Sequence, residues 1–225
     1  EYGTMEDIQA FIRRAHELKL KVIFDITPNH TARDHVWMTA HPEYYVKAPD
    51  GSAFFDADWS DTAKLDYTNH DLRAAMIEVY DFWLSCLGPD EHGAPDGVDG
   101  FRLDMAHFIN DKSFWDQALP ALRARHPSRD LLFMAECYGF QNNLDLFARG
   151  MDAAYDDDFY KLCQYAYAVD EAGNSRVRLA ADAQHNHDFH PILNQWQDGG
   201  LAAAAAKVLR QYEEAAARFP CRHYT

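Results

Sequence analysis

No stretch of this 225-residue chain approaches the roughly 20 consecutive apolar residues that a membrane-crossing helix needs. The longest run near the C-terminus, LAAAAA, is short and alanine-rich, so a membrane span is excluded. Basic residues are in deficit, 21 Lys and Arg against 36 Asp and Glu, and they are scattered. Nucleic acid is bound through clustered Lys and Arg, so the formal charge of −15 points instead to a neutral or cationic partner. Cysteine is sparse: Cys86, Cys137, Cys163 and Cys221 lie far apart with no CxxC or zinc-knuckle spacing. They read as free thiols, with widely spaced disulfides left open. No glycine-rich loop follows a strand-like run, which weakens a nucleotide-binding reading. There is neither a signal peptide nor an initiator methionine; the opening EYGTMED reads as the interior of something longer, and cellular location stays open.

What is present suits a packed domain: 48% of residues are hydrophobic and 14% aromatic, enough for a sizeable core. Thr4 and Asp7 have capping-box spacing, and Ile8, Phe11, Ile12, Ala15 and Leu18 follow at helical intervals. The strand-like KVIFDI comes next and stops at Pro28. The alternation repeats. A helix is predicted from Asn69 to about Leu87, then the strand VDGFRLD; a helix from Asp111, then the strand LLFMAE; a helix over 141–149, then a short strand in MDAAYDDDF. A long, mostly helical region is expected over 159–218, and FPCRHYT reads as the start of one more strand. Strands alternating with helices imply parallel pairing and an α/β class. Asp25, Asp104 and Glu136 each end a strand, where side chains face the active-site mouth of a TIM barrel, and the barrel is therefore favoured over an open doubly wound sheet. Residues 31–68 are long, aromatic and poor in helical period, and are expected to form an inserted loop or small subdomain over that mouth.

Within GFRLD, residues 100–104, the two-residue period of a strand turns Gly100, Arg102 and Asp104 to one side. The same rule aims Asp25 and Glu136 from their own strands, so Asp25, Arg102, Asp104 and Glu136 are expected at one rim. A lone Arg/Asp pair at i, i+2 is ordinarily a structural ion pair; three strand-end carboxylates around it shift that balance. The arginine would hold the neighbouring aspartate ionised, fit to act as a nucleophile. A carboxyl at some distance from the arginine would keep its proton and act as a general acid. Glycoside hydrolysis asks for these two roles.

The motifs DITPNH (residues 25–30), GFRLDMAH (100–107) and Glu136 in FMAECYG resemble, in order and spacing, those of the alpha-amylase family of glycoside hydrolases. The opening YGTMEDIQAFIRRAHELKLKVIFD is similar to that family's second helix and third strand. The resemblance implies a partial TIM (β/α)8 barrel over residues 1–225, running from the second helix to the start of the seventh strand, with 31–68 inserted after the third strand. It implies Asp104 as nucleophile and Glu136 as acid/base, with two carboxyls about 5 to 5.5 Å apart and a retaining outcome. It further implies Arg102 as the holder of Asp104, Asp25 as its brace, His30 on the sugar beside the cleaved bond, and His107 toward the leaving-group side. The substrate implied is an α-glucan or malto-oligosaccharide, and the chemistry requires no cofactor. Asn29 would belong to a structural calcium site, whose other oxygens could come from Asp50, Asp56, Asp58 or Asp61. The family's third acid follows its seventh strand and is expected beyond residue 225; the piece alone is expected to be inactive or nearly so.

Two rivals accompany this reading. A transglycosylase would use the same site with a different acceptor. A non-catalytic amylase-like module would have no physical need for both Asp104 and Glu136. The histidines of HNHDFH (His185, His187, His190) are read as a solvated loop rather than a metal site, Asp156 to Asp158 as a charged loop near the mouth, and Cys137 as a packing residue. At least half of Trp37, Tyr44, Tyr45, Phe54, Phe55 and Trp59 are expected to form the core of the insertion, the others being available to stack on sugar rings.

Overall fold

A computed structural model describes residues 3–155, 206, 209–211, 213–214, 216–219 and 223–224. Asp156 to Asp158, the histidines of HNHDFH, Cys163, Cys221 and nearly all of the predicted long helical region lie outside the described residues.

The first helix, α1 (Met5–Glu17), begins as its capping box dictates: Thr4 accepts from the Asp7 N–H, and the Asp7 carboxylate accepts from the Thr4 N–H at 2.8 Å. Ile12 and Ala15 are buried, whereas Phe11 and Leu18 remain more than half exposed. The core-facing stripe is thus narrower than the apolar spacing predicts.

Strand β1 (Ile23–Ile26) follows, and then the insertion, which folds around a small antiparallel pair, β2 (His30–Ala32) and β3 (Thr62–Lys64), with His30 directly opposite Lys64. A short helix α2 (Trp37–Ala40) and a 3₁₀ turn (Pro42–Tyr44) lie between them. Tyr44, Tyr45, Ala63, Leu65 and Tyr67 are buried in this segment, and Phe54 is exposed. Asn69 caps α3 (His70–Leu84), accepting from the Asp71 and Leu72 N–H groups. The Gly/Pro/Asp-rich stretch then makes a two-residue ladder, β4 (Gly88–Pro89) with β5 (Pro95–Asp96).

Next come β6 (Gly100–Leu103), α4 (Ser113–Arg125), β7 (Leu132–Ala135), α5 (Phe140–Ala148), β8 (Ala153–Ala154) and β9 (His223–Tyr224). The main sheet has the order β1-β6-β7-β8-β9 and every pairing is parallel. Among the described residues the sheet does not close into a complete barrel. Its outward side chains, Phe101, Leu103, Phe133 and Ala135, are buried, with Tyr80 of α3 edge-on to Phe101 at 5.1 Å. Alternation then turns Asp25, Arg102 and Met134 to the other face, where they align across three strands in register. Gly100 is required at the start of β6: its φ is +153°, and a Cβ there would lie 1.9 Å from the Leu132 carbonyl oxygen. Among the described residues no helix is long and apolar enough to cross a membrane.

Candidate active site

The carboxylates predicted for the rim do meet, around one guanidinium. Arg102 Nη1 donates to Asp25 Oδ1 at 2.9 Å and to Asp104 Oδ2 at 2.7 Å, and Nη2 pairs with Glu136 Oε2 at 2.9 Å. Its Nε donates to the Tyr155 hydroxyl at 3.1 Å. The fork shape of the guanidinium lets one side chain serve three carboxylates and a phenol, which an ammonium could not do in that plane. Burial alone would lower the Arg102 pKa, but Tyr155, Asp104, Asp25 and Glu136 together raise it, so the charge is permanent.

Backbone geometry fixes the two central acids. Asp104 N–H donates to Ile26 O on one side, and Glu136 N–H to Leu103 O on the other. Directly after Asp104 the chain turns through a left-handed Met105, φ 47°. Such a conformation is costly for a non-glycine residue and persists where the surroundings enforce it. Here the turn delivers the Met105 N–H to Glu136 Oε2 at 3.0 Å, while Ala106 N–H reaches Glu136 O.

One expectation is corrected. The acid is expected at a distance from the arginine, yet Glu136 pairs with Arg102 at 2.9 Å, against 2.7 Å for Asp104. The reason is register: Glu136 follows Ala135, the partner of Leu103, and so lies two residues beyond Met134, on the face that carries Arg102 and within reach of its guanidinium. Gathered on one guanidinium, the two carboxyls also perturb each other, and two such neighbouring acids do not ionise independently. Burial, aided by the Glu136 charge, pushes Asp104 upward against the pull of Arg102. Burial also raises Glu136, but the Tyr138 hydroxyl, the Met105 N–H and Arg102 outweigh it and leave the group below its ordinary value. The proton of the pair therefore belongs on the Asp104 side. This is the reverse of the assignment made from strand faces alone.

His30 sits in β2 with Nδ1 3.3 Å from Asn29 Nδ2 and its ring 5.6 Å from that of Trp59. Burial lowers its pKa despite the pull of the Asp104 charge, keeping the imidazole neutral near neutral pH. His107 is likewise pushed down by burial; it packs edge-on against Tyr138 at 5.7 Å, and its Nδ1 is buried without a hydrogen-bond partner. Burial thus favours the neutral form of both rings. Cys137 is buried within the hydrophobic core, its thiol pushed up to about 12 by burial.

Asn29 is fully buried. Its Nδ2 donates to Asp56 Oδ2 at 2.8 Å, and its Oδ1 has no partner. Of the four aspartates considered beside it, Asp56 is the one that Asn29 contacts.

Sequence reasoning missed Tyr138 and Tyr155. Tyr138 Oη donates to Glu136 Oε1 at 2.6 Å. Both could have been found by extending the two-residue period one step, since Tyr138 lies two beyond Glu136, and Tyr155 two beyond Ala153, which is paired with Met134.

Comparison with known proteins agrees with the geometry. The family model described as alpha amylase, catalytic domain, matches residues 1–199. Alpha-amylase 3 of Dictyoglomus thermophilum is 27% identical over 181 residues, covering 68% of this chain and 34% of that protein. An alpha-1,4-glucan:maltose-1-phosphate maltosyltransferase of Bifidobacterium animalis subsp. lactis is 32% identical over 143 residues, 60% of this chain and 18% of that one. The crystal structure of an alpha-amylase from Lactobacillus plantarum superposes with a TM-score of 0.61 and 32% identity, covering 80% of this chain and 42% of that chain. The chain spans about a third or less of the length of these curated relatives. The parallel α/β sheet is part of the TIM-type barrel expected from the motifs, and the chain belongs to the alpha-amylase family.

Proposed function

We propose that the full-length protein cleaves α-glucosidic bonds of oligo- or polysaccharides with retention of configuration, through a covalent intermediate on Asp104. The observation that supports this most directly is the shared guanidinium. Two carboxyls drawn onto one guanidinium, Asp104 at 2.7 Å and Glu136 at 2.9 Å, fit the close spacing of a retaining pair rather than the about 6.5 to 9.5 Å that an inverting enzyme needs for its water.

A sugar entering the mouth separates the pair. Arg102 keeps Oδ2 of Asp104, and the other Asp104 oxygen attacks the anomeric carbon. The bond from that carbon to the glycosidic oxygen breaks as Glu136 gives its proton to the departing oxygen. The proton must therefore pass from the Asp104 side of the pair to Glu136 when substrate arrives. Glu136 then takes a proton from water, the water oxygen bonds to the anomeric carbon, and the ester to Asp104 breaks. Asp25 braces Arg102 from the next strand, and His30 and His107 contribute neutral hydrogen-bonding groups to the sugars. The substrate class is α-glucan or malto-oligosaccharide, and no step needs a cofactor.

A second reading, glycosyl transfer, is favoured by the maltosyltransferases among the relatives. It uses the same first half-reaction and replaces water with a sugar or phosphate acceptor. Incubating the full-length protein with malto-oligosaccharides and following the products by NMR separates the outcomes. An α-anomer appearing first supports retention; longer oligosaccharides indicate transfer; a β-anomer appearing first would overturn the mechanism.

A further inference from the structure

Calcium was the group expected at Asn29, and it needs six to eight oxygens at about 2.3 to 2.6 Å. The oxygens near Asn29 already surround an ammonium. Lys64 Nζ donates to Asp56 Oδ1 at 2.7 Å, to Asp56 Oδ2 at 2.9 Å and to the Phe108 carbonyl at 3.0 Å, and the side chain is 11% exposed. Three N–H groups meet three oxygens, so the donor set is complete. A calcium bound to Asp56 and Phe108 would have to stand where Nζ stands. Asn29 also turns its nitrogen, not its oxygen, toward Asp56. Among the described residues there is no group of three or more His, Cys, Asp or Glu side chains able to hold a metal ion. The residues present do not fit calcium.

The lysine joins three parts of the chain. It lies on β3 opposite His30, and its backbone N–H donates to Phe54 O at 2.8 Å. Its ammonium holds Asp56, in the turn before β3, and Phe108, in the loop after β6. Asp56 in turn holds the Asn29 amide, which touches His30 Nδ1. Trp59 fills the space between, 5.6 Å from the His30 ring and 6.1 Å from that of Phe108. A chain of contacts thus runs from the ammonium through Asp56 and Asn29 to the imidazole.

We infer that Lys64 is a built-in cation: its ammonium does the work of a structural calcium, tying the insertion to the loop after β6 through Asp56 and Phe108 and so positioning His30. Lys64 is a positioning residue and touches no reacting atom. Its effect on turnover rests on the reading of His30 as a sugar contact, whereas its role as the structural cation does not.

The test uses full-length wild type, Lys64→Met, Asp56→Asn and the double variant. Wild type is expected to show the same melting temperature with chelator, without it, and with added calcium. Lys64→Met leaves a buried carboxylate unpaired and is expected to melt about 10 °C lower. The double variant is expected to melt no lower than Lys64→Met, because the two charges act as one unit. On a malto-oligosaccharide, Lys64→Met should raise KM about tenfold, equivalent to a small loss of binding energy, with a smaller change in kcat. A wild-type protein that loses melting temperature on chelation and regains it with calcium would overturn the proposal, and that measurement needs no variant to fold. Wild-type melting and KM in Lys64→Met would overturn it as well. Should wild type turn over no malto-oligosaccharide, the reading of the site falls, while the melting measurements still decide whether Lys64 is the cation.

Discussion

Tyr138→Phe deletes one hydroxyl from the edge of the site and should move the pH profile in a direction the geometry fixes. The Tyr138 hydroxyl donates to Glu136 Oε1 at 2.6 Å and favours the anion, alongside the Met105 N–H and Arg102. A hydrogen bond to a charged group contributes about 1.5 to 3 kcal/mol. Tyr138 is 37% exposed, so water replaces part of what the variant loses, leaving about 1 kcal/mol, or about 0.7 pH unit. As general acid, Glu136 must enter the first step protonated, so kcat/KM falls as pH rises through the upper apparent pKa of the pair. With the pair's proton on the Asp104 side, Glu136 is charged both before and after that upper step, and the hydroxyl acts on the lower step, where Glu136 itself ionises. Removing a donor to the anion raises that lower value, so the acidic limb is expected to move up by about 0.7 unit, with the basic limb shifting less. The assay is kcat/KM against pH for the full-length protein on a malto-oligosaccharide. An acidic limb that stays in place or moves to lower pH would refute the hydroxyl's hold on Glu136, or the place of the pair's proton.

Other predictions follow from the same arrangement. Glu136→Gln should slow substrates with poor leaving groups by about 10²-fold or more while sparing activated aryl glycosides; an equal loss on both would count against an acid role. Gly100→Ala should destabilise the fold by about 3 kcal/mol or more, because the new Cβ would collide with the Leu132 carbonyl and the φ of +153° is hard for alanine to adopt; thermal or urea unfolding indistinguishable from wild type would contradict this.

Much of this was legible in the chain because strand alternation and parallel pairing are local rules with spatial consequences. Ile23, Phe24, Asp25 and Ile26 pair with residues 100–103 in register, so the face carrying Asp25 necessarily carries Arg102. The same rule aims Glu136 at the mouth but says nothing about distance along the rim, which is why its contact with Arg102, and hence the proton order, needed coordinates. The insertion was harder for another reason. With no dominant period, residues 31–68 offer no register from which to derive that Lys64 faces His30 or that Asp56 folds back on Asn29. Along α1, Phe11 and Leu18 share the apolar spacing yet stay more than half exposed, since such spacing reports which residues share a stripe and not how much of it the sheet covers.

The central claim is that Asp104 becomes bonded to sugar. A slow-turnover fluorinated α-glycosyl fluoride, incubated with the full-length protein and followed by peptide mass spectrometry, tests it most directly. A glycosyl adduct is expected on the peptide containing Asp104, and is expected to be lost in Asp104→Asn. An adduct on Glu136, or rapid turnover to an inverted product with no adduct at all, would contradict it.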